Sequence, residues 1–188
     1  MKLNTPMNSS ASLTLDQSDL HTITTVAVSR DFTHDQLWLN GKEIEINGRG
    51  KTVIQEIRKI AQDKHDPATG ELLVRKEDWH LYHVRISSVN TFPTGAGLAS
   101  SAAGLACLVA SLAKVFAVKE EFPGQLTAIA RQGSGSASRS LYGGFVKWIK
   151  GGEVENANDS IAVQIADENV SSSYVDSLAS PLMLYLLL

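Results

Sequence analysis

At 188 residues, 43% of them hydrophobic, the chain is long enough for one domain with a substantial core and too short for two complete ones. A formal net charge of −3 with no block of Lys or Arg excludes a nucleic-acid or anionic-membrane surface as the main interface, so any anionic ligand has to be held locally, by loops and helix ends. The single Cys107 cannot close an internal disulfide, no secretory signal is evident, and the apolar run 178–188 is about half the length that spans a bilayer, so a cytoplasmic protein is expected.

Residues 10–15 alternate as a strand should, which places the start of the chain inside a fold. Residues 16–19 supply turn chemistry, and the Thr/Val/Ile-rich run 22–28 reads as a strand able to pair with the first. Runs 36–39 and 43–46 flank Asn40-Gly41, a pair suited to the positive φ angles of a type I′ hairpin. Four strands in succession predict a largely antiparallel sheet. From Lys51 the period changes: Val53, Ile54, Ile57, Ile60 and Ala61 recur at helical spacing and predict an amphipathic helix laid on that sheet. Residues 65–70 read as a polar loop, 71–79 fit no single state, and 82–88 form a strand.

That strand feeds the stretch Asn-Thr-Phe-Pro-Thr-Gly-Ala-Gly-Leu-Ala-Ser-Ser-Ala-Ala-Gly, residues 90–104, which opens an apolar helix over 100–116. A strand-to-helix junction is a natural anion site. The first helical turn leaves N–H groups unpaired at the positive end of the dipole, and glycines allow close approach to the main chain. Taken alone, the stretch fits an ordinary Ser-capped helix equally well. A further helix over 123–131 stops at a second loop, Gln132-Gly-Ser-Gly-Ser-Ala-Ser-Arg139, followed by strands at 145–149 and 161–165. Beyond Asp167 the pattern breaks down. Antiparallel strands layered with helices predict an α+β sandwich.

Two Gly/Ser loops beside helices suggest one ligand with two anionic groups, or two ligands that meet. Ser134, Ser136 and Ser138 offer hydroxyls, and Arg139 offers a fork for carboxylate or phosphate; the alternative is a connector with Arg139 in solvent. Neither loop contains Gly-x-Ser-x-Gly or a Walker-type phosphate motif. The five histidines lack metal spacing, and Trp38 and Trp148 are expected in the core.

Residues 93–103, Pro-Thr-Gly-Ala-Gly-Leu-Ala-Ser-Ser-Ala-Ala, resemble the phosphate loop of the GHMP kinase superfamily. With 130–148, Ala-Arg-Gln-Gly-Ser-Gly-Ser-Ala-Ser-Arg-Ser-Leu-Tyr-Gly-Gly-Phe-Val-Lys-Trp, and the segments 5–10, 37–41 and 159–164, they resemble its diphosphomevalonate decarboxylase family, over 3–168. The resemblance implies a GHMP-kinase-like domain over 1–168, with 169–188 a divergent tail. It implies ATP, with Mg2+, on Gly95, Ala96, Gly97, Leu98, Ala99, Ser100 and Ser101, the last on the γ-phosphate side. It implies diphosphomevalonate on Ser134, Gly135, Ser136, Ala137, Ser138 and Arg139, with Arg139 facing its carboxylate, Arg49 its diphosphate, and Asn90 at a polar active-site position. The reaction implied is ATP-dependent decarboxylation to isopentenyl diphosphate in the mevalonate pathway, in a family of homodimers that engages neither nucleic acid nor membrane. Thr91, Gly95 and Ser138 stand where the family has Asn, Ala and Cys. The family's amino-terminal Tyr-Trp-Gly-Lys segment is not found before Met1, and its catalytic aspartate is expected beyond this chain, so no catalytic residue is assigned and an inactive fragment is expected. Another GHMP small-molecule kinase and a non-catalytic ligand-binding or dimerising remnant are the alternatives.

Overall fold

The computed structural model describes residues 4–14, 19–46, 48–152 and 157–167, so the expected tail lies outside the described residues. In chain order the elements are β1 (Ser10–Leu13), β2 (Thr22–Ser29), β3 (Gln36–Leu39), β4 (Lys42–Ile44), α1 (Gly48–Lys59), β5 (Lys64–His65), β6 (Leu72–Val74), β7 (His83–Asn90), α2 (Ser100–Val115), α3 (Gln125–Gly133), β8 (Phe145–Trp148) and β9 (Ala162–Ala166). Two 3-10 segments, Lys76–Leu81 and Gly135–Leu141, complete them. The α+β class expected from the sequence is observed.

The sheets are arranged differently from the expectation. β2 does not pair with β1; it pairs antiparallel with β7, Thr22 opposite Asn90 and Ser29 opposite His83. β7 also takes β3 as a parallel neighbour, and β3 folds back into β4, giving a mixed sheet in the order β2-β7-β3-β4. β1 belongs to a second sheet, β1-β8-β9, where Ser10 faces Trp148 and Leu13 faces Phe145. The β3–β4 hairpin is as predicted: φ is 50° at Asn40 and 78° at Gly41, the pair of positive values that a type I′ turn needs.

The core lies on one face of the four-stranded sheet. Val84 and Ile86 alternate inward from β7, Val53, Ile54 and Ile57 come from α1, Val109 and Leu112 from α2, and Ile129 and Ala130 from α3. Trp79 closes one end, its Nε1 donating to the Gln62 carbonyl at 2.9 Å and its ring meeting Phe116 edge-on. Trp148 is buried as expected, but Trp38 is only half-buried, because its register with Ser87 turns it to the outer face of the sheet. Helix α2 is likewise not enclosed all round: Ala110 and Lys114 are exposed.

Candidate active site

The loop that leaves β7 is held from behind by the β3–β4 turn. Asn40 Oδ1 accepts from the Asn90 amide at 3.0 Å, and its Nδ2 donates to Thr94 Oγ1 at 3.4 Å. Asn90 Oδ1 accepts from Thr22 Oγ1 at 2.7 Å, and Thr91 is tied to the His21 backbone in both directions. So braced, the chain passes through φ of 80° at Gly95, 79° at Gly97 and 54° at Ala99 before α2 begins. A Cβ at either glycine would meet no protein atom within 4 Å, so this main chain faces open space where a ligand could lie against it.

The helix start is not the Ser-capped end that the sequence allowed. Ala99 is the N-cap, in the left-handed region and with no side-chain cap bond. The hydroxyls of Ser100 and Ser101 have no partner among the described residues, and while the Ala102 N–H donates to the Ala99 carbonyl at 2.9 Å, the N–H groups of Ser100 and Ser101 have no acceptor within the helix. An end in this condition favours an incoming anion.

Two cavities flank this loop. One, of about 240 Å3, is lined by Asn90, Ser100 and Ser101 together with Arg49 and Gly50 of the first turn of α1. Two helix N-termini thus look into one space. Helix α1 has no acid in its first turn and carries the exposed Arg49 there, against the preference of its own dipole, an arrangement that a nearby anion would favour. The larger cavity, of about 390 Å3, is lined on one side by Leu98, Ala99, Ala103 and Cys107, and on the other by Arg139, Ser140 and Tyr142.

The sequence allowed a solvated connector at 132–139, but the chain there is an ordered 3-10 turn packed into the protein. Ala137 and Ser138 are fully buried and Arg139 is 6% exposed. Ser138 Oγ is occupied within the turn, donating to the Gly135 carbonyl at 2.7 Å. Arg139 Nη1 donates to Ser10 Oγ at 3.0 Å, its guanidinium lies 5.4 Å from the Trp148 ring centroid, and its buried Nε has no partner. Burial pushes the Arg139 guanidinium below its ordinary value, and no carboxylate among the described residues offsets that cost. A cation so placed is completed by an anion from outside. Burial, and then the charge of Glu120, push the Tyr142 phenol up, which keeps it a neutral hydroxyl facing the same cavity.

Of the residues expected to hold ligand, the structure gathers Arg49, Asn90, Ser100 and Ser101 in the smaller cavity, and Leu98, Ala99 and Arg139 in the larger. Arg49 and Arg139 do not share a cavity; the Leu98–Ser101 run stands between them. Sequence reasoning passed over Asn40, Thr22, Ser10 and Trp148, which brace these groups. Asn40 stood in a turn motif, and Ser10, Asn40 and Trp148 fall in the segments that carry the resemblance, but their bracing roles were not legible because their partners are remote in the chain. Among the described residues no group of His, Cys, Asp and Glu could hold a metal ion by itself, and no helix is long and apolar enough to cross a membrane.

Residues 1–162 match the diphosphomevalonate decarboxylase-like N-terminal domain family. The diphosphomevalonate decarboxylase of Rattus norvegicus is 50% identical over 164 residues, which are 87% of this chain and 39% of the relative. A crystal structure of mevalonate 5-diphosphate decarboxylase superposes with a TM-score of 0.71 at 43% identity, over 88% of this chain and 41% of that one. The Enterococcus faecalis mevalonate diphosphate decarboxylase, in a structure concerned with ATP binding mediated by mevalonate diphosphate, superposes with a TM-score of 0.62 at 33% identity, over 88% and 45%. The chain therefore spans about two fifths of the length of the curated relatives it matches. On the strength of the two loops, the fold and these similarities, the chain belongs to the diphosphomevalonate decarboxylase family of the GHMP kinase superfamily.

Proposed function

We propose that the chain carries the anion-holding half of an ATP-dependent decarboxylation of (R)-5-diphosphomevalonate to isopentenyl diphosphate, and that residues 1–168 form the domain that does so. The observation that carries this reading is Arg139: a buried cation, without a carboxylate partner among the described residues, lining a cavity beside the N-terminus of α2.

The division of labour follows from the two cavities. Ser100, Ser101 and the first-turn N–H groups of α2 suit nucleotide phosphates, with the main chain of 95–99 lying against them. Arg49 and Asn90, in the same space, would take the substrate diphosphate where it meets the nucleotide. Arg139 takes the substrate carboxylate; Ser134, Gly135, Ser136, Ala137 and Ser138 line neither cavity and serve as the turn that carries it. When bound, ATP supplies the phosphoryl group that turns the tertiary hydroxyl into a leaving group, and Mg2+ would be held through the phosphates. The Leu98–Ser101 run, common to both cavities, is where the two ligands would meet. These residues act by positioning and by fixed dipoles, which suits a reaction in which charge moves among phosphates and a carboxylate.

Calorimetric titration of the chain with diphosphomevalonate tests the reading. Arg139→Ala should weaken binding by about 2 kcal/mol, or roughly thirtyfold, because a charge-assisted pair in a desolvated place is lost. Unchanged affinity in a folded variant would remove the assignment. Carbon dioxide release with ATP and Mg2+, measured in parallel, distinguishes a chain that turns over from one that only holds ligand.

A further inference from the structure

Arg131 is 1% exposed, the largest fully buried side chain among the described residues, and the site as drawn above gives it no task. It leaves the last turn of α3 and passes under the Gly/Ser turn. There its Nη1 donates to the carbonyls of Ala157 and Ser160, each at 2.8 Å. Burial lowers its ordinary value while the charge of Asp159 raises it, so this cation, unlike Arg139, has its counter-charge inside the protein.

What Arg131 grips is the support of the Trp148 ring. Ser160 is fully buried; its Oγ accepts from Trp148 Nε1 at 3.3 Å and donates to the Ile149 carbonyl at 3.1 Å. The ring of Trp148 then touches both ends of the Gly/Ser turn. At one end its Cη2 lies 2.8 Å from where a Cβ on residue 135 would stand, so only glycine fits there. At the other it lies under the guanidinium of Arg139, and Trp148 is also the β-partner of Ser10, the residue that accepts from Arg139. On the main-chain side, Asn4 Nδ2 donates to the Arg131 carbonyl at 2.7 Å and stands beside Gly135.

We propose that Arg131 is a positioning residue for Arg139, acting through Ser160 and Trp148 to fix the plane of the guanidinium that receives the substrate anion. The inference rests on the reading of Arg139 as that anion's partner. Arg131 itself lines neither of the two cavities beside the α2 loop. Its effect is to hold the indole against one face of Arg139, which with the Ser10 hydrogen bond sets the orientation of the guanidinium that lines the cavity. A guanidinium binds a carboxylate through a planar fork, so a tilt of the fork costs affinity without any loss of charge.

The test uses the full chain and two readouts. In the absence of ligand, the side-chain Nε–H resonance of Arg139, identified by its loss in Arg139→Lys, and the indole N–H of Trp148 should both move in Ser160→Ala and in Arg131→Lys. Ser160→Ala is the variant of choice, because removing one hydroxyl leaves the buried cation in place. With diphosphomevalonate, Ser160→Ala should weaken binding about tenfold in the native background and less than about twofold in the Arg139→Ala background, the signature of coupled groups. Resonances that stay in place in folded variants, or affinity losses that add, overturn the inference. If the native chain does not bind diphosphomevalonate while the resonances move, the substrate assignment falls and the positioning stands.

Discussion

Arg131 and Arg139 are both withdrawn from solvent, and their surroundings decide what each can do. Arg131 places Nη1 on two carbonyls and has Asp159 near, which makes it part of the frame, although its buried Nε, like that of Arg139, has no partner. Arg139 spends one donor on a hydroxyl, keeps its Nε buried without a partner, and lines a cavity. A residue remote from both gives a pH test of the fold alone. Asp66 Oδ1 accepts from the Ala68 and Thr69 amides at 2.8 and 2.9 Å in the loop between β5 and β6. The Thr69 amide first, and then that of Ala68, hold its carboxyl below the ordinary 3.8. A carboxylate depressed in the folded state contributes stability that is present above 3.8 and is lost as pH falls through the lower folded value. Asp66→Asn, which mimics the protonated form, should therefore be less stable than the native chain at neutral pH, and the gap should close on acidification below 3.8. Urea unfolding at a series of pH values reads this, and a gap that persists at the acid end would contradict it.

At the scale of elements, α2 serves two purposes, with its first turn for ligand and its later turns for the core. Ser101→Ala removes an unpartnered hydroxyl from the first turn and leaves Arg139 alone. Titration with ATP should show several-fold weaker binding, while diphosphomevalonate titrated without nucleotide should bind as before; loss of the acid substrate instead would mean the cavities have been given the wrong ligands. The elements themselves were legible where the signal is local. Asn40-Gly41 dictates a hairpin, Val53, Ile54 and Ile57 a helix face, and 90–104 a strand-to-helix junction. Pairing was not legible: β1 meets β8 and β2 meets β7 across long separations, and nothing in residues 10–28 tells a strand which distant partner buries it better. The turn at Gly135–Leu141 was hidden for a related reason. Its Gly/Ser composition is that of a loop, and only the Trp148 ring beneath it and Ser10 beside it make it rigid. The resemblance supplied the ligands of the two loops, but the framework of Arg131, Ser160 and Trp148 is visible only in three dimensions.

Across the whole molecule, the core of the four-stranded sheet reaches Ala137 in the turn that carries Arg139, and through this turn it adjoins the second sheet, whose buried Phe145, Val146 and Trp148 lie outside that core. α2 packs on β2 at one side and on the Gly135–Leu141 turn at the other, and that turn leads directly into β8 of the second sheet. Leu112, in the later turns of α2, sits in the core of the four-stranded sheet with no exposed surface. Leu112→Ala should destabilise the fold by about 3 kcal/mol, the lost transfer free energy plus the cavity left behind. If the two sheets unfold as one unit, amide exchange protection in β7 and in β8 should fall together, each by about a hundredfold. If β8 keeps its protection while β7 loses it, the sheets are separate cooperative units and the turn does not couple them. Ligand affinity gives the complementary check. Leu112 lies about three turns from the start of α2, so the phosphate-facing first turn should keep its geometry while the fold remains populated. Binding of diphosphomevalonate to the variant well below its midpoint should match that of the native chain, because the stability of this domain and the chemistry of its site reside at opposite ends of the same helix.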